Sequence, residues 1–263
     1  MFKERSYRRW VESGDLVSFE IKEKETDLFI SVEDPLLRLK TKLRSFETSY
    51  SSVSQDRIRF ANLAREAVLA YRSDIERYAL KSEEFYTALT PIDVDKEAPV
   101  IVQAMAAAAE KAGVGPMAAV AGAIAEFVGR GLLAFSKQVI IENGGDIFLK
   151  TSRKRIMGIY AGDSSPFTGN LAIEIEPNEK GLGVCTSSGT VSHSLSFGNA
   201  DAALIISEDA ALADAAATAA GNAVKSADDI EKAIGLARSI DGVKGVLILI
   251  GDKMGSWGEI KLI

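Results

Sequence analysis

The sequence predicts an α+β domain: a mostly antiparallel sheet with helices packed on it. Three observations carry this. The chain opens on two short stretches with apolar residues at every second position. A long stretch from about residue 35 to 131 has helical spacing. After Gly131 the period returns to two, yields to helical spacing between 209 and 239, and closes on two extended segments. Strands, helices, strands, helices, strands is an α+β order rather than a strict βαβ alternation.

Each element has its own signal. Val17, Phe19 and Ile21 alternate with polar residues, as do Leu28, Ile30 and Val32, and the polar run 23–26 between them reads as a hairpin turn. Asp34 and Pro35 form an N-cap followed by proline at the first helical position, opening a helix to about 46. Residues 51–55 are a polar break. A second helix runs over about 56–79 with Ile58, Leu63, Val68 and Tyr71 among its apolar positions. Pro99 and Pro116 open two further helices, separated at Gly113 and rich in alanine. Strands are predicted at 139–142, 147–150, 156–161, 171–175, 183–186 and 202–206. Helices follow at 209–224 and 227–239, then a closing hairpin of 246–251 and 258–263. With no linker, low-complexity tract or repeat, all 263 residues read as one domain. It comprises an N-terminal hairpin and helices (1–97), a pocket-forming core (98–225) and a C-terminal helix and hairpin (226–263).

Composition excludes several classes. Hydrophobic residues make up 47% of the chain, enough for a sizeable core. A net charge of −6 argues against a nucleic-acid footprint, which needs a basic face. The basic N-terminus is followed by no apolar core, so it is not read as a signal peptide. The longest uncharged apolar stretches, 98–109 and 112–125, fall short of the roughly 20 residues of a membrane span and read as buried helices. Cys185 is the single cysteine, which rules out an intrachain disulfide and is compatible with a cytoplasmic setting. The alanine-rich helices offer flat faces on which a homo-oligomer can pack. His193 is the single histidine, so no zinc site with two or three histidines can form within one chain, and any Ser-His-Asp or Cys-His device must use it. A metal would rest mostly on oxygen ligands, which favours magnesium or calcium.

Small residues collect in a few places that suggest a pocket. Gly113 and Gly115, before Pro116, read either as a phosphate cradle at a helix N-terminus or as a tight turn between helices. Asn143, Gly144 and Gly145 read as a type I′ hairpin turn, and Glu142 and Asp146 beside it add two carboxylates that suit a metal or a sugar hydroxyl. Thr186, Ser187, Ser188 and Gly189 supply hydroxyls for a phosphate or hydroxyl-bearing ligand. Cys185 before them is either a buried small residue or a nucleophile paired with His193. Asp214 and Thr218, at i and i+4, share a helix face that is either solvated or turned to a metal and a phosphate.

Taken together, these segments resemble the superfamily of FAD:protein FMN transferases, ApbE. Asn143 to Asp146 resemble its Asn-x-Gly-Gly-Asp/Glu turn, Val184 to Gly189 its Val-Ala-Thr-Ser-Gly strand, and Ala213 to Ala219 its Ala-Asp-Ala-x-Ala-Thr helix. The whole chain is more similar to an uncharacterised branch of that superfamily found in anaerobes. The signatures are at 26–28, at 113–123 (Gly-Val-Gly-Pro-Met-Ala-Ala-Val-Ala-Gly-Ala) and at 186–198 (Thr-Ser-Ser-Gly-Thr-Val-Ser-His-Ser-Leu-Ser-Phe-Gly).

The resemblance implies an ApbE-like, T-fold-like α+β domain. It implies that Asp214 and Thr218 bind Mg2+, which in turn holds the phosphates of FAD or another flavin or nucleotide. The remaining site residues are Gly113, Gly115, Asn143, Gly144, Gly145, Asp146, Thr186, Ser187, Ser188 and Gly189 around the ligand, with His193 as the candidate catalytic residue. The branch has been linked to sulfide assimilation into homocysteine. One departure stands out: the transferases place Asp-Pro after their histidine, whereas His193 is followed by Ser-Leu-Ser-Phe-Gly198. The expected partner is a small phosphate-bearing molecule, with no nucleic acid and no membrane. The alternatives are an accessory or sulfur-carrier protein and a full FMN transferase.

Overall fold

A computed structural model describes residues 11, 13–33, 51–189 and 197–263; the helix expected at 35–46, and Thr190 and His193, lie outside them. The strands are β1 (Val17–Glu23), β2 (Thr26–Val32), β3 (Val139–Asn143), β4 (Asp146–Lys150), β5 (Arg155–Gly158), β6 (Ala172–Ile175), β7 (Leu182–Ser187), β8 (Ala202–Ser207), β9 (Val243–Ile250) and β10 (Lys253–Gly258). The helices are α1 (Ser51–Lys81), α2 (Glu83–Thr87), α3 (Val100–Ala112), α4 (Val120–Leu132), α5 (Ala210–Ala223) and α6 (Ile230–Arg238), with 3-10 turns at Pro116–Ala119 and Ala227–Asp229.

Among the described residues eight strands form one sheet in the order β1-β2-β3-β4-β7-β8-β9-β10, and every neighbouring pair is antiparallel. Strands β5 and β6 form a separate ribbon. Side chains alternate between the two faces of a strand. Ile141, Phe148, Cys185, Ala203, Ile205, Val246 and Ile248 therefore enter one core with the helices. Their neighbours Ile140, Ile147, Leu149, Val184, Leu204, Leu247 and Leu249 enter a second core against the ribbon. The middle of the sheet is buried on both faces, which is why several of its strands are apolar throughout rather than alternating.

The helices form where a stripe of apolar residues meets the sheet. In α1 the buried Phe60, Ala64, Val68 and Ile75 fall on one face. Helix α3 stops at Gly113, whose φ of 72° makes the left-handed cap. Helix α5 starts at Asp209, whose carboxylate accepts from the Leu212 amide at 2.7 Å. Alanines of α3 and α5 (Ala108, Ala109, Ala213, Ala215, Ala216, Ala217) are buried inside the helix layer. These alanines pack within the fold. Among the described residues no single helix is long and apolar enough to cross a membrane, and the α3 and α4 segments are bent by 104° to each other.

Three elements differ from expectation. Residues 51–55 are helical, because the segment contains no glycine or proline to interrupt the ladder that α1 propagates. The strand expected at 156–161 ends at Gly158, and the following loop is tied internally by Thr168, whose hydroxyl donates to the Gly162 carbonyl at 2.7 Å. The closing hairpin turns at Gly251 and Asp252, so its second strand is Lys253–Gly258 rather than 258–263. The last residues instead cross to the ribbon: the Ala172 amide donates to the Ile263 carbonyl at 3.1 Å, and Glu174 to Lys261 at 2.9 Å.

Candidate functional site

The helix-facing side of the sheet's middle gathers most of the residues singled out in the sequence. Gly144 and Gly145, with φ of 71° and 109°, make the two-residue turn between β3 and β4, and Asn143 pairs with Asp146 across it. Glu142 steadies the turn by accepting from the Gly145 amide at 2.9 Å. By alternation Asn143 lies on the same face as Ile141, and Asp146 on the same face as Phe148, toward the helices. The Asn143 side chain donates to the Ala121 carbonyl at 3.0 Å, where α4 begins. On β7, Cys185 points the same way, and its thiol donates to the Ala210 carbonyl at 3.4 Å. Ser187 follows on that face and lies beside Gly221 of α5.

Asp214 projects from α5 into this region. Its Oδ2 accepts from the Gly122 amide at 2.9 Å, at the opening turn of α4. Burial pushes its carboxyl up to about 7, against the bonds from the Gly122 and Ala121 amides. Burial, then the charge of Asp214, push the Asp146 carboxyl well above its ordinary range. The neighbouring Cys185 thiol and the bond from the Thr186 amide oppose this. Oδ1 of Asp146 is buried with no hydrogen-bond partner. Thr218 stands one turn beyond Asp214 on the same helix and is half-buried.

Glu126 is a buried neighbour of this region that the sequence did not single out. Its Oε2 accepts from the Ala210 amide at 2.7 Å and the Ala211 amide at 3.4 Å, and its Oε1 from Arg130 at 2.7 Å. Helices α4 and α5 thus exchange caps: Glu126 of α4 holds the N-terminus of α5, and Asp214 of α5 holds that of α4. The glycine between them makes room, since a Cβ on Gly122 would lie 2.1 Å from the Ala210 carbonyl oxygen and 2.8 Å from the Asp214 Cβ. A lone acid in an otherwise apolar, small-residue helix is the signal that marked Glu126.

Other expected site residues lie elsewhere. Gly113 is a helix cap, and a Cβ on Gly115 would lie 1.8 Å from the Ala88 carbonyl oxygen. That close approach is to backbone, so the helix-turn reading of this segment is the one the geometry favours over a phosphate cradle. Thr186 alternates to the ribbon face with Val184. Ser188 is buried, and Gly189 is exposed and donates its amide to the Ala200 carbonyl at 2.9 Å. A shallow groove lined by Ile156, Asn170, Leu171 and Ile263 is on the ribbon, across the sheet from Asp214.

Magnesium was expected at Asp214 and Thr218. Among the described residues no three His, Cys, Asp or Glu side chains are grouped to hold a metal ion. Asp214, the orphan oxygen of Asp146 and the Thr218 hydroxyl nonetheless fit such an ion chemically. They are hard oxygen donors, and two of them are buried carboxylates.

An α+β domain with this sheet, helix layer and ribbon has the fold of the flavin transferases. It aligns with a mutant form of flavin transferase ApbE from Vibrio cholerae at a TM-score of 0.52 and 10% identity, covering 94% of this chain and 98% of that one. The family described as AbpE bacteria matches residues 8–242, and the chain belongs to that family. It is 44% identical over 224 residues to a UPF0280 protein of Methanococcus aeolicus, covering 83% of this chain and 90% of that relative. It is 46% identical over 202 residues to a UPF0280 protein of Methanocaldococcus jannaschii, covering 75% and 82%.

Proposed function

We propose that this ApbE-like protein binds a phosphate-bearing small molecule, a flavin or another nucleotide, through a magnesium ion held by Asp214 and Thr218. The observation that supports this is a pair of buried carboxylates, Asp214 and Asp146, in which the charge of Asp214 acts on Asp146 and Oδ1 of Asp146 has no hydrogen-bond partner. Bound magnesium would neutralise the ligand's phosphates and orient them. The Asp214 carboxylate and the Thr218 hydroxyl would hold the ion. The Ser187 hydroxyl and the Gly144–Gly145 turn would offer polar contacts to the ligand.

The resemblance adds the setting of sulfide assimilation to homocysteine, which we include in the proposal. A sulfur carrier at Cys185 is the less favoured form of it. The thiol is buried, and burial followed by the charge of Asp146 pushes it well above its ordinary range, so thiolate is scarce. Transfer of FMN from FAD to a protein threonine is not expected, because the residues after His193 lack the Asp-Pro of the transferases.

Calorimetry with FAD in the presence and absence of Mg2+, on the wild type and on Asp214→Asn, tests the reading. The asparagine keeps an acceptor for the Gly122 amide. Magnesium-dependent FAD binding that is lost in Asp214→Asn is the expected result. Equal FAD affinity with and without Mg2+ overturns it.

A further inference from the structure

We infer that Asp146 is a second carboxylate ligand of the same divalent cation as Asp214, so that the ion joins the start of β4 to α5. The inference rests on the metal reading above and extends it to a residue on a different element, 68 positions earlier in the chain than Asp214.

Asp146 is 8% exposed and faces the helix layer. Its carboxylate accepts from the Thr186 amide, and its Oδ1 has no hydrogen-bond partner. The strongest charges acting on Asp146 are those of Asp214 and Glu142, both anionic. Asp214 in turn is held by backbone amides of α4. A buried carboxylate oxygen without a partner is costly, and more so beside a second carboxylate. A hard cation removes both penalties, because it bonds to the orphan oxygen and separates the like charges. The Thr186 amide holds the Asp146 carboxylate, and its Oδ1 is left free to bind an ion. Asn143 is fixed on the same hairpin by its bond to Ala121, so the turn that carries Asp146 is held against α4.

Manganese stands in for magnesium and is read by electron paramagnetic resonance, with no ligand or activity needed. The wild type, Asp146→Asn and Asp214→Asn are titrated with Mn2+, and their melting is followed with and without Mg2+. The wild type is expected to bind one ion. Both variants should weaken Mn2+ binding by about tenfold or more and lose the rise in melting temperature that Mg2+ produces. Metal-free Asp146→Asn should melt at or above the wild-type temperature, because a repulsive buried charge has gone. Wild-type Mn2+ affinity in Asp146→Asn, with loss in Asp214→Asn, overturns the inference and leaves the proposed function standing. Failure of the wild type to bind Mn2+ overturns both. A metal-free Asp146→Asn that unfolds or melts lower also overturns the inference, since the carboxylate would then be held by protein partners.

Discussion

At Gly115 one methyl group separates two readings of a segment. A glycine there serves either a ligand or a neighbouring backbone, and the Ala88 carbonyl 1.8 Å from the missing Cβ identifies the neighbour. Gly115→Ala should therefore lower stability by about 3 kcal/mol, the upper range for overpacking, while folded molecules keep wild-type Mn2+ affinity. Thermal melting and the Mn2+ titration measure the two effects separately. Arg155 is a second residue whose role is set by its contacts. Its guanidinium, 3% exposed, donates to Asp15, to Gln138 Oε1 at 3.1 Å and to Thr151 Oγ1 at 3.1 Å. The hydrogen bond from Arg155 holds the Asp15 carboxyl below its ordinary 3.8. A depressed carboxyl contributes stability that is present above its unfolded value and is lost as pH falls through its folded value. Asp15→Asn should thus cost about 2 kcal/mol at neutral pH and flatten the loss of stability on acidification below about pH 4. Urea melts from pH 7 to pH 3 check this, and an unchanged acid limb would refute it.

Between elements, the exchange of caps by α4 and α5 is the most consequential device. Each helix satisfies amides at the other's N-terminus with a carboxylate, where the helix dipole favours negative charge. Burial raises the Glu126 carboxyl, helped by the charge of Asp209, and the bond from Arg130 opposes the rise. Arg130 also stands 5.3 Å from the Phe148 ring centroid, tying the pair to β4. Removing Glu126 leaves the Ala210 and Ala211 amides without their acceptor in a buried setting. Glu126→Ala should cost about 3 kcal/mol and weaken Mn2+ binding, because α5 carries Asp214. Glu126→Gln keeps an acceptor and should recover part of both. Calorimetric melting and Mn2+ titration of the two variants provide the check, and equal loss in both would show that charge rather than the hydrogen bond matters.

Over the whole molecule, one sheet separates two cores, and the chain's last residues stitch the ribbon to the structure on its far side. Ile260 and Leu262 pack with Leu247 and Leu249 in the second core. The backbone of 261–263 pairs with β6. Because both cores share the same strands, we expect one cooperative unfolding transition rather than two. Deleting 260–263 should lower stability by about 2 kcal/mol, the scale of two partly buried apolar side chains, and leave Mn2+ affinity unchanged, since Asp214 lies on the opposite face. Melting followed by both fluorescence and circular dichroism tests the two statements together. Separate transitions from the two probes would mean that the cores unfold independently.

By itself the sequence determined what depends on near neighbours along the chain. The opening hairpin, the alanine-rich helices, the Gly144–Gly145 turn and the order of the strands were legible because period and turn chemistry are local. The motif helix of Asp214 and Thr218 and the ApbE-like class were legible through the resemblance of short motifs to that superfamily. Only the tertiary structure decided what those residues touch. Asp214 meets the Gly122 amide 92 positions away, and Glu126 meets that of Ala210 at 84. Gly115 meets Ala88 through a loop, and residues 260–263 leave their hairpin for a strand nearly ninety positions earlier. No periodicity reports such pairs. They exist because the sheet, once formed, brings α4, α5 and the β3–β4 turn to one place, where buried carboxylates must find amides, each other or a cation.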